Sequence, residues 1–116
     1  MKNLKVVSLD NGIIQFNNGY SLYADHVSDC CESHDLCIED LDILDFDGLI
    51  FNLDDEFFRR VKGYGIELIP VYGYSVRIAG HGYNNGYYSS ELTLVIDKDD
   101  KIVRTFDISE CQDIEE

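Results

Sequence analysis

Tryptophan is absent from these 116 residues, proline and methionine occur once each, and nine Lys and Arg face 23 Asp and Glu. The shortage of bases excludes most. The formal net charge is −14, and no Lys or Arg stands between Lys5 and Arg59. Such a chain repels a phosphate backbone and an anionic lipid surface, so neither nucleic acid nor a membrane is an expected partner. No apolar run is long enough to cross a bilayer as a helix. Met1-Lys2-Asn3-Leu4-Lys5 lacks the apolar stretch and cleavage site of a signal peptide, so the expected location is cytoplasmic. There the four cysteines would be thiols rather than a disulfide framework. Also missing are C-x-x-C, H-x-x-x-H, the phosphate loop G-x-x-x-x-G-K-[ST] and the oxygen-ligand spacing of an EF-hand. No cofactor and no metal is expected.

What is present fits a single domain over 1–116, with 45% hydrophobic residues, an ordinary globular content. Lys5–Leu9, Ile13–Phe16 and Tyr20–Ala24 alternate as strands and are separated by Asn11-Gly12 and Asn17-Asn18-Gly19, which accept the positive φ of tight turns. These predict an N-terminal three-stranded antiparallel meander. A short helix is expected from about Asp29, where Asp29 and Glu32 have capping-box spacing, to before Gly48, its second half, Leu41–Asp47, reading equally well as extended. Further strands are expected at Leu49–Leu53, Ile66–Val71, Tyr74–Ala79, Tyr87–Asp97 and Ile102–Phe106, with a helical turn over Asp54–Val61. The tail after Ser109 reads as frayed. The fold class expected is α+β: a curved antiparallel sheet of about six to eight strands with one short helix after the meander.

Chemically versatile side chains concentrate in two stretches. The first, His26-Val27-Ser28-Asp29-Cys30-Cys31-Glu32-Ser33-His34-Asp35-Leu36-Cys37, holds three of the four cysteines and two of the three histidines. Three readings compete for it. Zinc would need four ligands in two spaced pairs, and here His26, Cys30 or Cys31, His34 and Cys37 crowd into one run with Cys111 far away. A nucleophilic Cys with His26 or His34 as base would need a lowered thiol pKa, whereas Asp29, Glu32 and Asp35 push it up. Small buried core residues are the third reading, favoured for Cys37. The second stretch, Gly80-His81-Gly82-Tyr83-Asn84-Asn85-Gly86-Tyr87-Tyr88-Ser89-Ser90, combines permissive glycine with Tyr, Asn and Ser. Such loops make adaptable polar contacts around aromatic anchors, and the same residues also suit an ordinary hairpin turn.

With His26-Val27-Ser28-Asp29-Cys30-Cys31-Glu32 and Asn85-Gly86-Tyr87-Tyr88-Ser89 on the page, the chain resembles a small uncharacterised family of phages, prophages and gut bacteria. Its members carry an H-x-x-D-C-C-E block early and an N-G-Y-Y-S block late. The resemblance implies no known activity. The function expected is that of a non-enzymatic binding or interaction protein of phage or prophage type, with a protein partner that its own acidity suits to be basic. Its site would comprise His26, Asp29, Cys30, Cys31 and Glu32 with Asn85, Gly86, Tyr87 and Tyr88, the two blocks meeting in one surface. Two alternatives stay open: an acidic DNA-mimicking inhibitor of a host nucleic-acid enzyme, and a small Cys/His metal protein or enzyme.

Overall fold

The structure, a computed structural model, describes residues 1–25, 33–54, 56–83 and 91–115. Ten strands run through them: β1 (Val6–Asp10), β2 (Ile13–Phe16), β3 (Tyr20–Asp25), β4 (Ser33–Leu36), β5 (Phe58–Val61), β6 (Gly65–Leu68), β7 (Val76–Tyr83), β8 (Thr93–Lys98), β9 (Lys101–Asp107) and β10 (Asp113–Glu115). The meander forms as its sequence predicts. Asn11 and Gly12 both take positive φ, 50° and 76°, the mirror-image turn whose twist matches the strands it joins. One sheet has the order β1-β2-β3-β8-β9, all antiparallel, so the last hairpin of the chain closes onto the meander.

The second sheet runs β10-β7-β6-β5, with β4 also on β7. Here β7 pairs with β6 along Val76–Ala79 and with β4 along Gly80–Tyr83, both antiparallel. The pairing of β10 with His81–Tyr83 is parallel. Since β4 and β10 engage the same residues of β7, they occupy its two opposite edges. One apolar core joins the sheets: Ile14, Leu22, Leu94 and Ile96 from the first, Ile66, Leu68 and Ile78 from the second. The connection between β4 and β5 adds Ile38, Phe46, Leu49, Phe51 and Leu53.

Three expectations are corrected. Among the described residues there is no α-helix: Ser33–Leu36 is β4, followed by 3₁₀ turns at Ile38–Asp40 and Ile43–Phe46. The edge of β7 offers Ser33–Leu36 a row of backbone partners, and Cys37 continues it by donating its N–H to the Ala79 carbonyl at 2.8 Å. Further on, Asp42 and Asp45 satisfy backbone N–H groups with their own carboxylates, which holds that stretch to one short turn. The expected helical turn at Asp54–Val61 is instead extended from Phe58 on. Nor is the tail frayed. Ile108, Cys111 and Gln112 are buried, and β10 docks beside β7. That approach needs Gly80, where a Cβ would stand 2.0 Å from the Cys111 carbonyl oxygen.

Candidate functional site

All nine residues singled out as a site lie outside the described residues: His26, Asp29, Cys30, Cys31 and Glu32 in 26–32, and Asn85, Gly86, Tyr87 and Tyr88 in 84–90. The strands on either side of both segments are described. Residues 26–32 leave β3 at Asp25 and enter β4 at Ser33, while 84–92 leave β7 at Tyr83 and enter β8 at Thr93. In the first sheet Asp25 is the register partner of Thr93, and in the second Ser33 is the partner of Tyr83. Antiparallel partners stand about 4.5–5.5 Å apart between Cα atoms. The two segments therefore share both of their anchor points and cross between the sheets in opposite directions.

Directly before that junction lies a charged row that sequence spacing did not suggest. His81 of β7 is in register with Asp35 of β4 on one edge and with Asp113 of β10 on the other. In-register side chains project to one face with Cβ atoms about 4.5–5.5 Å apart. All three side chains are exposed. Partial desolvation raises the Asp35 pKa, and the Glu39 carboxylate adds to the effect. Only topology could have found this row, because its members come from three distant parts of the chain.

The described cysteines are not activated. Cys37 is partly exposed and Cys111 fully buried, and both are free thiols. Burial pushes the Cys37 thiol up, and Asp40, Asp35 and Glu39 push it further. Burial and Glu110 do the same for Cys111. Cys37 is tied to Ala79 through its backbone N–H, and the Cys111 backbone packs against Gly80. The core reading favoured for Cys37 thus describes Cys111 better. Among the described residues no group of three or more His, Cys, Asp or Glu is arranged to hold a metal ion, and no helix is long and apolar enough to cross a membrane. Comparison with protein-family models, with curated proteins and with solved structures gives no match.

Proposed function

We propose that this is a non-enzymatic binding protein, of the phage or prophage type its two blocks resemble, whose contact surface is built by residues 26–32 and 84–90 together. The observation that carries this is the pair of shared anchors, Asp25 with Thr93 and Ser33 with Tyr83. Both segments begin and end at the same two strand pairs, which supports reading them as one surface. The patch combines Tyr87 and Tyr88, large amphipathic anchors of low rotamer entropy, with Asn85 and the carboxylates of Asp29 and Glu32 as hydrogen-bonding groups. In this reading Glu32 accepts hydrogen bonds from Tyr hydroxyls or backbone N–H groups of the loop and braces it. The net charge of −14 favours a basic protein as the occupant.

A tagged copy recovered from its host tests the proposal. The expected result is one stoichiometric partner, lost both in Tyr87→Ala/Tyr88→Ala and in Glu32→Ala while the variants stay folded. Retention of the partner by both variants would place the contact elsewhere. Displacement of the partner by duplex DNA would favour the acidic DNA-mimicking inhibitor instead.

A further inference from the structure

Two edge strands, β5 of one sheet and β9 of the other, meet without pairing. On β5, Phe58 and Arg60 share a face at i and i+2, and on β9 Arg104 and Phe106 do the same. The Arg60 guanidinium lies over the Phe58 ring at 5.2 Å from its centroid, and that of Arg104 over the Phe106 ring at 4.7 Å. The two rings touch edge to face at 5.1 Å, with Phe57 buried against both. Backbone carbonyls fix the guanidiniums further: Arg60 Nε donates to the Asp107 carbonyl at 3.0 Å, and Arg104 Nη1 donates to the Leu53 carbonyl. In front of them opens a groove of about 590 Å³, lined also by Arg59, Asp54 and Glu56.

Among the described residues neither Arg60 nor Arg104 has a carboxylate within ion-pair distance, although the chain carries 23 acids against nine bases. Their neighbour Arg59 does, sharing Glu67 with Arg77 at 3.1 and 3.2 Å. We propose that the groove binds a small organic anion, a phosphate or carboxylate carried on an apolar or aromatic body. Each guanidinium spends one N–H on a carbonyl and keeps the rest of its donor fork, the geometry that grips an oxyanion in two places. The ring stack and the carbonyl bond hold each fork still, so little rotamer entropy is left to lose on binding. The volume falls in the range of small-molecule pockets. A brace between the sheets accounts for the carbonyl bonds, but not for two guanidiniums that face an open groove with no ion-pair carboxylate among the described residues. Of the rim acids, Asp54 is paired with the Met1 ammonium at 3.2 Å, which leaves Glu56 as the described carboxylate that opposes an anion.

Titration of the ¹⁵N-labelled full chain with phenyl phosphate, benzoate and inorganic phosphate, each at constant ionic strength, tests the site. The expected result is saturable shifts at Arg60, Arg104 and Phe106 with phenyl phosphate or benzoate, and weaker ones with inorganic phosphate. Arg60→Gln, at an exposed position, should weaken binding about tenfold, the value of one charge-assisted contact. Arg104→Gln should do the same if it folds. Glu56→Gln should tighten binding about threefold by removing a like charge. Absence of saturable shifts with all three anions would overturn the proposal. So would binding unchanged in Arg60→Gln, or shifts at these residues produced by butylammonium and not by the anions.

Discussion

Ser109 ties Leu92 to the turn over residues 107–112. Its N–H and hydroxyl both donate to Asp107 Oδ1, its Oγ accepts the Leu92 N–H at 3.0 Å, and its carbonyl accepts Gln112 Nε2 at 3.0 Å. Leu92 is fully buried, so Ser109→Ala leaves a backbone donor without its partner. The expected cost is about 1–3 kcal/mol in a denaturant melt, recovered in large part by Ser109→Thr. An unchanged midpoint would mean that the Leu92 N–H finds another acceptor. The same serine sets a pH dependence. Hydrogen bonds from the Ser109 hydroxyl and N–H, with the Arg60 charge, hold the exposed Asp107 carboxyl below the usual carboxylate range. A carboxyl depressed on folding stabilises above its unfolded pKa, and that contribution is lost as pH falls through the folded value. Cys111, Cys37 and Tyr23 move the other way, raised first by burial. Their contribution is complete below the unfolded pKa and lost as pH rises through the folded value. The melting temperature should therefore fall above about pH 9, where unfolded thiols ionise freely. Cys111→Ala should flatten that alkaline limb and Ser109→Ala the acid one, as melts across pH will show.

At the scale of elements, what the sequence makes legible is what neighbouring residues decide. The meander is readable because Asn11-Gly12 dictates its turn and alternation dictates its faces. The fourth strand is not, since Ser33–Leu36 has a helix-compatible sequence and becomes extended only because β7 supplies its partner. The tail misleads in the same way: its acids suggest fraying, while Cys111 and Gln112 fill the space that Gly80 leaves. The Arg–Phe groove had a local sign, Phe58-x-Arg60 and Arg104-x-Phe106, but reading Asp54–Val61 as a helical turn hid the first half of it. The two polar blocks could be chosen from composition, whereas their shared anchors depend on two long-range strand pairings. Gly80→Ala should separate tail from sheet. With a Cβ that would otherwise stand 2.0 Å from the Cys111 oxygen, β10 must move. The expected result is a lower melting temperature and labelling of Cys111 by a thiol reagent in native buffer, located by mass spectrometry. A Cys111 that stays protected would show that β7 bends instead.

On the scale of the whole molecule, the two sheets are interleaved along the chain. The first takes its strands from both ends of the sequence, and the second from the middle plus the closing β10. Neither sheet can be completed before the other is nearly so, and the core between them is continuous. Unfolding should be a single transition, with tyrosine fluorescence and far-ultraviolet circular dichroism superimposing. Separated transitions would mean that one sheet stands alone. Added salt should raise the midpoint of both, because a net charge of −14 repels itself most at low ionic strength.

A chain opened within residues 26–32 would still behave as one molecule. The shorter piece would keep β3 docked along β8 from Tyr20 to Asp25, and the longer would keep β4 on β7 from Ser33 to Leu36. Encoded separately, the two pieces would find each other through those same pairings and complete both sheets, as the halves of a split reporter do.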